Sequence, residues 1–261
     1  MRNKYILLFL LIGAIGVFFY LNRESLRCDA PLKQKIKIIK IIPKSDYPFT
    51  QGLFWEDNIL FESSGLYGKS YLLKRTLDNS APIIRKELPE NIFAEGLTIF
   101  EDNVYLISWR EQKAMVFDKK DLSFKKEFHY DGEGWGISEF DSKLYLSDGT
   151  DEIKAYDKNF TLLSSYKITY QENTLHHLNE LEFIKGLLYA NIWMTSKIVA
   201  IDLEKSCVVK EVDASEIVEL EGASNELGNV LNGIAYDKKT DEIILTGKWW
   251  KNYYVVKFIT P

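Results

Sequence analysis

The chain has 261 residues, of which 46% are hydrophobic and 14% aromatic, and its formal net charge is −5. This length is sufficient for one large domain or two small ones with a buried core. Basic and acidic residues are mixed along the whole sequence, and no basic face is evident. We therefore expect no nucleic-acid partner.

The N-terminus carries a targeting segment rather than part of the fold. Arg2 and Lys4 precede an apolar run over residues 5–21. That run is near the minimum that spans a bilayer, about 17–25 residues, and no small-residue cleavage site follows it. We assign residues 1–27 to a signal or membrane anchor with a short linker. The favoured interpretation is an uncleaved anchor helix with the domain exported to a periplasmic or extracytoplasmic location. A cleaved secretory signal is the alternative.

The chain has two cysteines, Cys28 and Cys207. Export would permit a disulfide between them, but two cysteines far apart in sequence do not establish one. Two unpaired, partly buried thiols are an equal alternative. Arg27, directly before Cys28, argues against lipoprotein processing.

A pattern of two short strands recurs five times between residues 49 and 248. If one position is taken as equivalent in every copy, the spacings are 44, 40, 44 and 53 residues. The equivalent residues are Gly52, Gly96, Gly136, Glu180 and Gly233. Each hairpin is followed by a third strand and then by a more charged fourth strand. Four strands per repeat at this period are typical of a β-propeller.

The two ends of the chain predict how the propeller closes. After Lys248 only one good strand remains, at residues 254–259, so the last copy lacks its outer strand. Residues 35–42 form a strand that belongs to no copy. Pairing this strand onto the last blade would close the ring and cover a free sheet edge. We predict an all-β, five-bladed β-propeller over residues 28–261, closed by an N-terminal strand, with one short helical turn within residues 215–226.

The repeat brings one set of side chains to the same mouth of the central channel. In each blade the first strand starts and the second strand ends at that mouth. The strand starts supply Phe49, Gln51, Glu95, Trp135, Asn179, Glu180 and Asn232. The strand ends supply Glu62, Trp109, Asp148, Asn191, Trp193 and Lys248.

For any one of these residues a structural explanation is simpler. Glu62 would then be a solvated strand end, Glu95 and Glu180 would accept backbone hydrogen bonds, and the tryptophans would pack between blades. Three tryptophans at one mouth nevertheless favour an aromatic pocket. In such apolar surroundings desolvation would raise the pKa of Glu62, which suits proton transfer near neutral pH.

Other kinds of chemistry are poorly supported. His176 and His177 lie near Glu180 and Glu182, but adjacent side chains on a strand point to opposite faces. No phosphate-binding loop and no Ser/His/Asp or Cys/His arrangement is evident. We therefore expect no metal and no cofactor.

Nine segments carry a recognisable pattern. They are Phe-Thr-Gln-Gly-Leu (49–53), Glu-Ser-Ser-Gly-Leu-Tyr-Gly-Lys-Ser (62–70), Glu-Gly-Leu-Thr (95–98), Glu-Gly-Trp-Gly (133–136), Ser-Asp-Gly-Thr (147–150), Leu-Asn-Glu-Leu-Glu (178–182), Ala-Asn-Ile-Trp (190–193), Leu-Asn-Gly-Ile-Ala (231–235) and Thr-Gly-Lys-Trp-Trp (246–250). Together they resemble the plant and bacterial type of glutaminyl-peptide cyclotransferase, also named glutamine cyclotransferase, which is a five-bladed propeller. The departures are Ser63-Ser64 in place of Ser-Thr and Trp249-Trp250 in place of Leu-Trp.

The resemblance implies a metal-independent acyltransferase. Such an enzyme converts the N-terminal glutamine of peptides or proteins to pyroglutamate and releases ammonia. It implies that Glu62 is the general acid and base, and that Asn179 and Lys248 orient or polarise the substrate amide. The residues expected to bind substrate are Phe49, Gln51, Trp109, Trp135 and Trp193.

The alternative from another functional class is a non-catalytic exported propeller that binds peptides or glycans at the same mouth. An anchored scaffold in which these residues are idle is a third hypothesis. Only the enzyme needs Glu62 as a proton carrier. We expect the protein to be a monomer.

Overall fold

The computed structural model describes residues 28–77, 81–223 and 228–261. These residues form an all-β, propeller-like fold of 22 strands with one short helix. Within the described part of the chain, no helix is long and apolar enough to cross a membrane. The signal or anchor predicted over residues 1–27 lies outside the described residues.

Strand β1 (Leu32–Pro43) precedes three antiparallel sheets, each of four strands that are neighbours in sequence. The first sheet consists of β2 (Thr50–Glu56), β3 (Ile59–Ser64), β4 (Tyr71–Thr76) and β5 (Ile84–Glu87). The second consists of β6 (Ala94–Phe100), β7 (Asn103–Ser108), β8 (Lys113–Asp118) and β9 (Phe124–His129). The third consists of β10 (Ile137–Phe140), β11 (Lys143–Ser147), β12 (Glu152–Tyr156) and β13 (Leu162–Lys167).

A larger sheet contains the rest of the chain. It carries a small hairpin of β14 (Thr169–Tyr170) and β15 (Asn173–Thr174). Its first run consists of β16 (Leu178–Ile184), β17 (Leu187–Ile192), β18 (Lys197–Asp202) and β19 (Cys207–Asp213). Helix α1 (Ser215–Leu220) follows and buries Ile217 and Val218. The second run consists of β20 (Leu231–Asp237), β21 (Glu242–Gly247) and β22 (Asn252–Ile259), with β1 beside β22.

The first hairpin shows how the local sequence fixes these sheets. Asp57 and Asn58 both have positive φ, at 53° and 62°. A two-residue turn of this kind has a twist that matches antiparallel strands, and Asp and Asn tolerate it well. The predicted hairpins are present in all five copies of the repeat. In the third copy, however, the first strand begins only at Ile137, so residues 133–136 form a loop.

The N-terminal strand closes the structure as predicted. β1 pairs antiparallel with β22, from Lys35 opposite Ile259 to Pro43 opposite Asn252. It also pairs in parallel with β19, from Leu32 opposite Lys210 to Lys35 opposite Asp213, which was not anticipated. This second pairing joins the last two runs of strands into one continuous sheet.

A disulfide reinforces this closure. Cys28 and Cys207 are joined, with their Cα atoms 6.3 Å apart. The alternative of two unpaired thiols is therefore wrong. Because Cys207 begins β19, the bond fastens the segment before β1 to the strand with which β1 pairs.

The first strands of successive runs form a closed ring. β2, β6, β10, β16 and β20 contact one another in that order, and β20 returns to β2. The repeated glycine is explained by this close approach. A Cβ atom on Gly52 would lie 2.3 Å from the Leu97 backbone nitrogen, and one on Gly136 would lie 2.2 Å from the Asn179 carbonyl oxygen. The starts of the ring strands and the ends of their partners thus meet at one mouth.

Candidate active site

A pocket of about 260 Å³ lies at the predicted mouth of the ring. Its lining residues are Phe49, Gln51, Leu66, Phe93, Glu95, Trp109, Trp135, Asn179, Trp193, Gly228 and Lys248. Seven of the eight predicted site residues therefore line one cavity. The exception is Glu62, which the structure places elsewhere.

Glu62 belongs to a buried polar network behind the pocket. Its side chain is fully buried and lies 3.3 Å from the Lys44 ammonium. The Thr50 hydroxyl donates a hydrogen bond to it at 2.6 Å, and the Tyr253 hydroxyl donates another. Burial by itself would raise the pKa of Glu62, but Lys44, Arg75 and these hydrogen bonds outweigh it and lower the pKa.

This placement corrects the expectation that Glu62 lies at the pocket with a raised pKa. The error was one of register. β3 continues to Ser64, so the residue that follows this strand is Gly65 rather than Glu62. Trp109, Trp193 and Lys248 each directly follow the end of their strand. In the first sheet the corresponding loop contributes Leu66 to the pocket instead.

Among the described residues that line the pocket, Glu95 is the carboxylate. It is the second residue of β6 and is 6% exposed. Its Oε1 accepts a hydrogen bond from Gln51 Nε2 at 3.1 Å. Burial raises the pKa of Glu95 well above its ordinary value, Lys248 opposes the rise, and Glu133 and Glu111 add to it. A buried carboxyl of this kind can hold and release a proton near neutral pH.

The sequence had placed Glu95 at this mouth without giving it a catalytic role. The signal that identifies it is its position. Gln51 and Glu95 are 44 residues apart, which is the repeat spacing, and each is the second residue of its ring strand. Equivalent residues of a propeller repeat lie around the same channel.

Lys248 is the cationic residue in the described lining of the pocket. It follows β21, is 6% exposed, and its Nζ lies 4.9 Å from the centre of the Phe49 ring. Burial lowers the pKa of Lys248 to about 8, and the nearby Glu95 limits the decrease. The ammonium therefore predominates at neutral pH and is lost as the pH rises through about 8.

Two carboxamides in the pocket have buried oxygens without a hydrogen-bond partner among the described residues. These are Gln51 Oε1 and Asn179 Oδ1. A buried polar atom without a hydrogen bond costs about 1–3 kcal/mol, so both acceptors are available to a bound ligand. The backbone beside Gln51 is fixed by Asn232, whose Nδ2 donates to the carbonyl oxygens of Thr50 and Gln51 at 3.0 and 3.2 Å.

Aromatic rings form the walls of the pocket. Trp135 and Trp193 meet edge to face, with ring centroids 5.5 Å apart. Phe93 contacts both Phe49, at 6.3 Å, and Trp109, at 5.4 Å. Such contacts favour a rigid, apolar cavity because each ring limits the rotation of the next.

Glu133 connects the two tryptophan walls, a role that the sequence did not suggest. Its Oε2 accepts hydrogen bonds from Trp109 Nε1 at 2.8 Å and Trp135 Nε1 at 3.0 Å. Its Oε1 accepts one from Arg110 Nε at 3.0 Å. Burial by itself would raise the pKa of Glu133, but the three donors outweigh it and lower the pKa. One ionised carboxylate thereby sets the orientation of two indoles.

The remaining polar residues predicted at the mouth hold neighbouring strands together. Glu180 accepts hydrogen bonds from the backbone nitrogens of Leu53 and Ile234, as its structural explanation required. Asn191 accepts one from the Gly233 nitrogen. Asp148 forms an ion pair with Lys154 at 3.0 Å.

The two adjacent histidines do not form part of a ligand cluster. His176 and His177 are both exposed, and the His177 ring packs 5.9 Å from Trp193. In the described residues, no group of three or more His, Cys, Asp and Glu side chains is arranged to hold a metal ion.

Comparison with known proteins supports the resemblance found in the sequence. A sequence model of glutamine cyclotransferases matches residues 12–258. The chain belongs to the glutamine cyclotransferase family. It is 31% identical over 258 residues to a glutaminyl-peptide cyclotransferase of Arabidopsis thaliana, covering 95% of this chain and 81% of the plant protein.

A solved structure of the same family has the same fold. The crystal structure of Myxococcus xanthus glutaminyl cyclase superposes with a TM-score of 0.83 at 30% identity. The match covers 88% of this chain and 99% of the Myxococcus chain. As a glutamine cyclotransferase, the protein is an enzyme of the acyltransferase class.

Proposed function

We propose that this enzyme cyclises the N-terminal glutamine of peptides or proteins to pyroglutamate in the pocket, with Glu95 as the proton carrier. The main support for the proposal is that Glu95 and Lys248 line the same aromatic cavity. The pKa of Glu95 is raised and the pKa of Lys248 is lowered. The volume of about 260 Å³ lies below the usual range for drug-sized ligands, so the pocket suits a single residue.

The chemistry requires one proton to move twice. The neutral α-amine of the glutamine attacks the side-chain amide carbon and forms a carbon–nitrogen bond, while Glu95 takes the amine proton. The carbonyl oxygen becomes an oxyanion. Glu95 then returns the proton to the leaving nitrogen, the original amide bond breaks, and ammonia departs from the five-membered lactam. A carboxyl with a raised pKa can serve as base and then as acid in this sequence.

The other polar residues supply charge and orientation. The Lys248 ammonium stabilises the developing oxyanion, a role in which one donor contributes about 10²–10³ in kcat. The unpaired oxygens of Gln51 and Asn179 accept hydrogen bonds from the substrate's amine and amide N–H groups. The tryptophan walls hold the side chain folded toward its own α-nitrogen, which matters because proximity is the main advantage of an intramolecular reaction.

The opposite mouth of the ring is a poorer candidate for this reaction. A cavity of about 390 Å³ there is lined by Glu56, Asp57, Lys238 and Lys239 among others. Asp57 forms an ion pair with Lys239, and Glu56 with Lys119. These side chains are half-buried or exposed and already neutralised. The buried Glu182 also lines this cavity, and burial raises its pKa to about 8. Both Glu182 oxygens already accept hydrogen bonds, from the Tyr236 backbone nitrogen and the Ser138 hydroxyl, so this carboxyl holds neighbouring strands together.

The finer architecture and the location are also part of the proposal. We assign five blades, of which the fifth consists of β20, β21, β22 and β1, in a monomeric domain that is exported and held at the membrane by residues 1–27. The Cys28–Cys207 disulfide supports export, because disulfides persist mainly in oxidising compartments. Separating membrane and soluble fractions, with and without residues 1–27, tests the anchor.

The activity is tested with the purified domain and a peptide that begins with glutamine. We expect release of ammonia and loss of the free α-amine at a matching rate. The same peptide with an acetylated α-nitrogen is the matched control, because it cannot attack. Binding of the glutamine peptide without ammonia release would instead support the non-catalytic propeller.

A further inference from the structure

Four equivalent turns at the mouth of the ring contain a residue with positive φ. Each is the second residue after the second strand of its run of strands. They are Leu66, Gly149, Met194 and Trp249, with φ of 100°, 79°, 66° and 64°. Glycine adopts this conformation without steric cost, whereas other L-residues are disfavoured there. The turn itself therefore favours glycine, yet three of the four positions carry large apolar side chains. Leu66 lines the pocket, which leaves Met194 and Trp249 to be explained.

Packing of the fold does not explain these two side chains. Met194 is 42% exposed and Trp249 is 43% exposed. The neighbouring Trp250 shows the contrast, since it is 1% exposed and packs in the core with Tyr254. Strained backbone that carries an exposed apolar side chain is typical of a functional surface rather than of a stabilising contact.

Both residues directly follow a pocket residue in the chain. Trp193 and Lys248, which precede them in the chain, line the cavity. The Trp249 ring also lies 5.2 Å from the ring of Phe49, which forms part of the cavity wall. The apolar surface of the pocket therefore continues outward to the rim, where Trp249 meets solvent.

We propose that Trp249, with Met194 on the preceding run of strands, forms a rim subsite for the side chain of the residue that follows the N-terminal glutamine, and that this subsite favours large apolar or aromatic residues. The inference rests on the proposed function. If the glutamine occupies the pocket, its peptide carbonyl must lead outward. The next residue then lies one backbone step further out, about 3.3–3.6 Å along an extended chain, toward the rim where Trp249 is exposed beside Phe49.

The expected size of the substrate preference follows from one aromatic contact between the substrate and Trp249. Such contacts change an equilibrium by about 2- to 10-fold beyond simple area burial. We therefore expect Gln-Phe peptides to have about 3- to 10-fold higher kcat/KM than Gln-Gly peptides. The difference should appear mainly in KM, because the second residue does not touch the reacting atoms.

The test compares these two substrates in wild type and in Trp249→Gly. Glycine suits the left-handed backbone, so the variant keeps its fold, which a thermal melt checks. We expect the kcat/KM ratio of Gln-Phe to Gln-Gly to fall toward one in the variant. Phe124→Ala is the matched control, because Phe124 is 53% exposed on the outer strand β9, and its ratio should equal that of wild type.

Binding of the product peptides tests the subsite independently of the proposed reaction. Calorimetry with pyroglutamyl-phenylalanine and pyroglutamyl-glycine measures the same preference without turnover. Absence of ammonia release together with a Trp249-dependent preference in binding would overturn the reaction and support the subsite. No preference in wild type, or an equal loss for both substrates in Trp249→Gly, would overturn the subsite.

Discussion

Glu62 and Glu95 are two buried carboxyls near the same mouth, and their surroundings give them opposite properties. Glu62 has a cation at 3.3 Å and hydrogen bonds from Thr50 and Tyr253, so its pKa is lowered. In the part of the chain that the structure describes, Glu95 has one side-chain donor, the Gln51 amide, and burial raises the pKa of Glu95. Burial therefore does not determine the protonation state by itself. The donors and charges that accompany burial decide whether a carboxyl remains an ion or can exchange a proton.

The two regions are physically connected. Ser63, next to Glu62, donates a hydrogen bond to the Glu95 carbonyl oxygen at 2.5 Å. Thr50, which hydrogen-bonds to Glu62, directly precedes Gln51 in the pocket. The network around Glu62 thus helps to hold the backbone of Gln51 and Glu95 in place at the pocket wall.

The largest expected effect comes from exchanging each carboxylate for an amide. Glu95→Gln keeps the shape but cannot carry the proton, so kcat should fall by about 10²–10⁴-fold. Glu62→Gln, assayed well below its melting temperature, should retain kcat within about 10-fold of wild type. Ammonia release measures both variants. Equal losses in the two variants, or a greater loss in Glu62→Gln, would contradict the assignment of Glu95.

The next comparison concerns stability. Glu62→Gln leaves the Lys44 ammonium buried without its counter-charge, so the free energy of unfolding should fall by about 3–5 kcal/mol. The double variant Lys44→Met with Glu62→Gln should recover a substantial part of that loss. Denaturant unfolding measures both. Glu95→Gln is the control, because Glu95 has no ion pair among the described residues, and it should be much less destabilising.

This loss of stability should also depend on pH in a defined direction. The folded pKa of Glu62 lies below its unfolded value, which is about 4.3 for a free Glu. Its contribution is complete above the unfolded pKa and is lost as the pH falls through the folded pKa. The difference in unfolding free energy between wild type and Glu62→Gln should therefore narrow in acid. A constant difference down to low pH would refute an ionised Glu62.

The smallest expected effect distinguishes the titration of Lys248 from the titration of the substrate amine. Lys248 loses its proton as the pH rises through about 8, whereas arginine stays charged. The ratio of kcat/KM in Lys248→Arg to that in wild type should therefore rise above pH 8, by up to about 10-fold per pH unit. The substrate amine titrates identically in both assays and cancels from the ratio. If the ratio of kcat/KM values does not change over this pH range, the charge of Lys248 does not contribute to the rate.

Much of the molecule was predictable because the repeat is a local property. Four strands per repeat, at spacings of 40 to 53 residues, predicted the propeller. The structure adds the reason for the repeated glycine, because adjacent inner strands approach too closely for a Cβ atom at Gly52 and Gly96. Seven of the residues that line the pocket were predicted as site residues because strand starts and ends recur in register. The same method failed for Glu62, where β3 runs two residues further than the pattern suggested.

The sequence by itself determined the strand order, the closing role of β1 and the family, because these depend on the order and period of residues. Only the tertiary structure decided which carboxyl faces the pocket, that Cys28 pairs with Cys207, and that Glu133 holds two tryptophans. The physical reason is that these properties depend on partners from distant parts of the chain. Lys44 lies outside every repeat and Tyr253 lies in the last strand, 191 residues from Glu62. A sequence pattern does not show such contacts, and they set the charge on which the chemistry depends.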